Sequence, residues 1–82
     1  MDSLPHLASA FGHALRLYRE RAGLSQEALA DRIGSVRSYI RLLEYGKKTP
    51  TINTFHVICY ALDIDPHEFM SEYLNVRKRS VR

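Results

Sequence analysis

The side chains of this 82-residue sequence that could do chemistry fall into three groups, and two of them lack partners. The four histidines, His6, His13, His56 and His67, are scattered, and Cys59 is the single cysteine. His56 and Cys59 stand three apart on a helical pattern and can share a face, but two ligands fall short of a zinc set. Cys59 reads as a small core residue, and one cysteine excludes an internal disulfide framework. Asp63 and Asp65 flank a turn, where carboxylates read as helix caps rather than as paired acids. No catalytic constellation, metal set or cofactor motif emerges, so a protein that is not an enzyme is expected. The third group is basic. Residues 16–48 hold eight Lys/Arg against four Asp/Glu, a local charge of +4. Residues 49–76 carry Asp63, Asp65, Glu68 and Glu72 with no Lys or Arg, and the last six residues add Arg77, Lys78, Arg79 and Arg82. A basic block segregated in this way suits a surface facing phosphates, with the acidic block turned away.

Positioning those cations falls to the stretch from Ser25 to Gly46, SQEALADRIGSVRSYIRLLEYG. Ser25 is a good N-cap, since its hydroxyl can accept a free backbone N–H of the first turn. Ala28, Leu29, Ala30 and Ile33 follow as a narrow apolar stripe at helical spacing. Gly34 stops this helix where a left-handed residue is usually needed. A second helical pattern then begins, with Val36, Ile40 and Leu43 expected on one face and Arg37, Ser38, Arg41 and Leu42 outward. Gly46 ends it. Ala30 supplies the small residue that two steeply crossing helices require at their contact. The pattern is that of a helix-turn-helix.

The combined runs LRLYRERAGLSQEALADRIG, RSYIRLLEYGKKTP and ALDIDPHEF resemble the Xre family, the phage lambda-repressor-like DNA-binding domains, from about Phe11 to Phe69. The resemblance implies five helices, binding to double-stranded operator DNA, and usually a homodimer. It implies that Gln26, at the first turn of the second helix, meets a DNA phosphate, where the free N-terminal amides suit an anion. It places Arg37 and Ser38 at base edges in the major groove, where arginine can bond guanine O6 and N7 together. Arg41 points outward toward phosphate or a base edge. Leu42 stands at a base-reading position of the family, where a leucine either touches a thymine methyl or is an ordinary exposed apolar residue. Two roles are open to Tyr39, a hydroxyl contact to phosphate or packing on the preceding helix. Lys47 and Lys48 match the loop that binds phosphate in the family. Arg19 and Glu44 match a pair that ties the first helix to the end of the third, a contact that locates helices more than it stabilises them. Two departures stand out. Ser35 and Val36 exchange the family's usual order of apolar residue and cap, and Tyr45 stands where Asn is frequent.

The remaining elements frame this unit. A first helix begins between Ser3 and Ser9, carries Leu7, Phe11, Leu15, Tyr18 and Ala22 at helical spacing, and ends at Gly23. Thr51 is the expected N-cap of a fourth helix reaching about Leu62, with Ile52, Phe55, Cys59 and Leu62 as one stripe. Val57, Ile58, Tyr60 and Ala61 cover most of its other sides, which predicts a central helix. Asp65, Pro66 and Glu68 give a cap, a first-turn proline and an acid for a fifth helix reaching about Asn75. Residues 77–82 are expected to be a disordered basic tail following one domain over residues 1–76.

A hydrophobic content of 45% with 26% charged residues is ordinary for a globular chain. No apolar run suits a bilayer, and the N-terminus lacks a signal-peptide pattern, so a cytoplasmic protein is expected. The expected class is an all-α, homodimeric transcriptional regulator, such as a controller protein, phage repressor or antitoxin, with no evident small-molecule effector. A protein–protein module reusing the same fold is the alternative. On the fifth helix Phe69 with Tyr73, and Met70 with Leu74, form adjacent i,i+4 rows. One edge of this arc closes the core, and the other, Met70 with Leu74, is the expected dimer interface together with Ile64 and Tyr73. The competing expectation is that Leu4 and Leu7 cover that patch.

Overall fold

The computed structural model describes residues 6–80, with side chains as far as Asn75. It has five helices and, among the described residues, no strand: α1 (Leu7–Arg21), α2 (Gln26–Arg32), α3 (Arg37–Glu44), α4 (Ile52–Ala61) and α5 (Pro66–Ser80). The first four end alike. In each, an amide two residues past the last helical residue's cap bonds back to a carbonyl of the final turn: Leu24 to Arg19, Ser35 to Ala30, Lys47 to Leu42 and Ile64 to Cys59, at 2.8–3.1 Å. This closure needs a left-handed residue between them. Glycine serves at three corners and Asp63, at φ 55°, at the fourth. Ser25 and Thr51 cap α2 and α4 by accepting the Ala28 and Thr54 amides at 3.0 and 3.1 Å. Asp65 accepts the His67 amide at 2.7 Å at the start of α5.

The core gathers Phe11 and Leu15 of α1, Leu29 of α2, Ile40 and Leu43 of α3, and Phe55 and Ile58 of α4 around Phe69 of α5. The Phe69 ring is fully buried, with Phe11, Tyr18 and Phe55 ring centroids 5.2, 5.3 and 5.4 Å away. Burying one such ring contributes about 1.5–3 kcal/mol. α1 packs against both α3 and α5. Gly12 makes the first of these contacts possible: a Cβ there would lie 2.7 Å from the Glu44 carbonyl oxygen, and even closer to that of Leu43. Gly46 repeats the device one turn earlier on α1, since a Cβ there would sit 2.9 Å from Ser9 Cα, at φ 73°. The end of α3 is thus pressed onto α1 through two missing side chains.

Three expectations are corrected. Val36 does not join Ile40 and Leu43 on a buried face; it is the exposed N-cap of α3, extended at φ −121°, and makes no side-chain cap bond. Lying ahead of the helix, it projects from extended backbone rather than in helical register. Nor is α4 central. Phe55, Ile58, Cys59 and Leu62 are buried, but Ile52, Val57 and Tyr60 are exposed, because the core lies on one side of this helix only. Finally, α5 runs to Ser80 rather than about Asn75. Nothing from Val76 to Ser80 breaks a helix, and cations near a helix C-terminus are favoured by its dipole. Helical backbone thus extends through Ser80, and residues 81–82 lie outside the described residues.

Candidate nucleic-acid interface

Glu44, the last residue of α3, fixes the geometry of the site. Arg19 of α1 grips it bidentately, Nε to Oε2 at 2.5 Å and Nη2 to Oε1 at 3.0 Å, and its Nη1 donates to the Leu24 carbonyl at 2.7 Å. The two side chains are 10% and 3% exposed. The bond to Glu44 raises the Arg19 pKa above the ordinary arginine value, against the burial that lowers it. A fork-to-fork pair of this kind fixes orientation as well as distance. Gln26, in the first turn of α2, donates from Nε2 to Glu44 Oε1 at 3.0 Å. A carboxylate only accepts, so the amide must turn its other end outward. There Gln26 Oε1 accepts from Arg37 Nε at 3.5 Å. Arg19, Glu44, Gln26 and Arg37 form one chain from the interior of the fold to the first residue of α3.

On the open face of α3, Arg37, Ser38, Arg41 and Leu42 are all exposed. The Arg41 guanidinium lies 5.5 Å from the centroid of the exposed Tyr45 ring, one turn on. Lys48 Nζ lies 5.7 Å from the Tyr39 centroid. Tyr39 itself is half-buried against the core, so packing is one of its roles in this fold. Lys47 and Lys48 are exposed in the loop that follows. Of the other expected contacts, Gln26 opens α2, Tyr39 lies within α3, and Lys47 and Lys48 follow α3 in sequence. Among the described residues, no group of three or more His, Cys, Asp or Glu could hold a metal ion.

A family model described as a helix-turn-helix domain matches residues 10–69. The chain belongs to this helix-turn-helix family. Over 48 residues it is 42% identical to an uncharacterized HTH-type transcriptional regulator of Methanothermobacter thermautotrophicus, covering 58% of this chain and 70% of that one. Among solved structures it is similar to the clp gene regulator ClgR from Corynebacterium glutamicum, with a TM-score of 0.89 at 26% identity over 94% of this chain and 82% of that one. It is also similar to the restriction-modification controller protein C.AhdI from Aeromonas hydrophila, with a TM-score of 0.72 at 39% identity over 76% and 94%. The Xre-type resemblance read from the sequence agrees with these matches.

Elsewhere in this helix-turn-helix domain the four expected interface residues divide. Met70 and Leu74 are open on α5. Ile64 packs against the core, as residues at that position of a helix-ending corner often do. Tyr73 is half-buried, its ring centroid 6.1 Å from that of Phe11. Leu7 lines a groove with Met70 and Tyr73, whereas Leu4 lies outside the described residues. Among the partners not foreseen are Gln26, which bonds both Glu44 and Arg37, and Tyr45 as the platform of Arg41. The second had a signal, since residues four apart on a helix are neighbours. No helix among the described residues is long and apolar enough to cross a membrane.

Proposed function

We propose that this chain is a sequence-specific DNA-binding transcriptional regulator that binds a palindromic operator as a homodimer, with α3 in the major groove. The observation that carries this reading is the chain of bonds at Glu44. It locks the end of α3 to α1 through Arg19 and to α2 through Gln26, while Arg37, Ser38, Arg41 and Leu42 stay exposed together. A rigid helix offering a guanidinium, a hydroxyl and an apolar tip matches the donor, acceptor and methyl pattern of base edges. Gln26, Lys47, Lys48 and the Tyr39 hydroxyl take phosphates on either side. The relatives described as a transcriptional regulator, a gene regulator and a controller protein favour the same role. Such a protein works with DNA in the cytoplasm. Dimerisation uses the open row of α5, Met70 and Leu74, flanked by Ile64 and Tyr73, and sets two copies of α3 about 34 Å apart.

Base and phosphate roles separate by substitution. Arg37→Ala should cost roughly 1–3 kcal/mol in binding and relax preference at one position per half-site. Lys47→Ala should weaken all sequences alike and reduce the salt slope by about one. Titration of both variants against matched and scrambled sites across a salt series measures the difference. Equal, sequence-independent losses would remove Arg37 from the reading set.

A further inference from the structure

The open side of α4 has no role in the fold. Ile52 is 79% exposed and Tyr60 89% exposed, with Asn53, His56 and Val57 also exposed between them. At 100° per residue, Ile52, His56 and Tyr60 form one row of this helix. The whole helix contains no Lys, Arg, Asp or Glu. Helices facing water ordinarily carry charge on that side. The first end of this face forms one wall of an apolar groove of about 330 Å³, with Ile52 and His56 on one side and Met70 and Tyr73 on the other. The α4 face is therefore continuous with the α5 row, across the groove.

We infer that the outer face of α4, centred on Ile52 and Tyr60, forms the larger part of an interface with a second copy of this chain. This rests on the dimeric reading above and extends it to a helix not included there. Area is the first argument. Met70 and Leu74, 40% and 42% exposed, together offer about 150 Å² if a large side chain carries on the order of 200 Å². A standard interface buries about 800 Å² per partner. In homodimers about 65% of that is apolar, near 500 Å². The α5 row alone falls far short. Ile52, Val57 and Tyr60 add about 400 Å² on the same scale, which brings the total to the required size.

Charge is the second argument. A two-fold interface sets a patch against its own copy, so a patch of one sign repels itself. The α3 side is basic, and the first two turns of α5 carry Glu68 and Glu72; the α4 face carries no Lys, Arg, Asp or Glu and can meet itself without that cost. Nucleic acid is disfavoured as the occupant, because residues 49–76 contain no Lys or Arg to neutralise phosphate. A tyrosine at the centre with charge kept to the edges is the usual composition of an interface core.

Sedimentation equilibrium of the full chain tests this, with wild type, Met70→Glu, Tyr60→Glu, Ile52→Glu and Tyr60→Phe compared and folding checked by circular dichroism. Wild type should be dimeric at micromolar concentration. Tyr60→Glu and Ile52→Glu should each weaken the dimer at least tenfold, and Tyr60→Phe should stay within threefold of wild type. The pair Ile52→Ser with Tyr60→Ser, which removes area without adding charge, should weaken it similarly and covers a failure of either acidic variant to fold. Loss of the dimer with Met70→Glu, but twofold or smaller changes at Ile52 and Tyr60, overturns the α4 interface and leaves the dimeric reading standing. A wild type that stays monomeric at high micromolar concentration, or a dimer indifferent to every variant, overturns both.

Discussion

Helices α3 and α4 are short, each buries one side in the same core, and their open sides could hardly differ more. On α3 the exposed cations have partners within the monomer: Arg37 is tied to Gln26, and Arg41 lies over Tyr45. On α4 the exposed side chains are Ile52, Asn53, His56, Val57 and Tyr60, and among the described residues no ion pair involves any of them. The contrast fits the roles proposed for the two surfaces. Directional hydrogen bonds weaken steeply when misaligned, so a surface that reads base edges gains from side chains oriented beforehand. Apolar attraction is non-directional and scales with area, so a surface that docks by burial can leave its side chains to be ordered by the partner.

The comparison breaks most visibly if the interior end of the α3 tether is cut. Arg19→Ala leaves Glu44 buried without its cation, and should cost about 3–5 kcal/mol of stability. The double variant Arg19→Ala with Glu44→Ala should cost clearly less than the sum of the single changes. Thermal melts of all three check this, and strictly additive losses would mean that the pair is not coupled. Next in size is Gly12→Ala. A Cβ pressed against the carbonyls of Leu43 and Glu44 forces α1 and α3 apart and should cost about 1–3 kcal/mol, with DNA affinity falling as α3 shifts. Chemical denaturation beside binding measures both effects.

A smaller effect sharpens the account of α3 itself. Tyr45→Ala removes the platform under Arg41 and should weaken DNA binding by about 0.5–1 kcal/mol, whereas Tyr45→Phe keeps the ring face and should bind like wild type. If Phe behaves like Ala, the hydroxyl rather than the ring is what matters. The smallest effect concerns the buried side of α4. Burial, with Asp65 nearby as a lesser cause, pushes the Cys59 thiol up to about 11. At pH 8 the thiolate is then on the order of a thousandth of the total, and alkylation should be slow in the native protein and fast once it unfolds. Rapid native labelling would show that this side of α4 opens readily.

Much of the helix layout was legible because its signals are local. Ser25, Thr51 and Asp65 accept amides within three residues of themselves, and a cap depends on little else. The start of α1 was not legible for the same reason: His6 precedes the helix without any side-chain cap bond. Partners across the fold needed more. The link of Gln26 to Glu44 spans 18 residues, and Gly12 looks like an ordinary helix-weakening glycine until the approach of α3 is known. The α4 error has another cause. A helix apolar on most sides has no polar stripe to mark which side the core leaves open, and periodicity alone does not supply one. Ile64 looked exposed for the complementary reason, since its burial comes from the corner it closes and not from a helical row.

The central claim is that the tethered face of α3 reads DNA sequence. Selection of bound sites from a random pool of duplex DNA, run with the full chain at moderate salt, tests it most directly. Enrichment of a palindrome whose half-sites lie about one helical turn apart, with preference at one position per half-site lost in Arg37→Ala, is the predicted result. Binding that enriches no sequence, or an enriched site unchanged by Arg37→Ala, would contradict it.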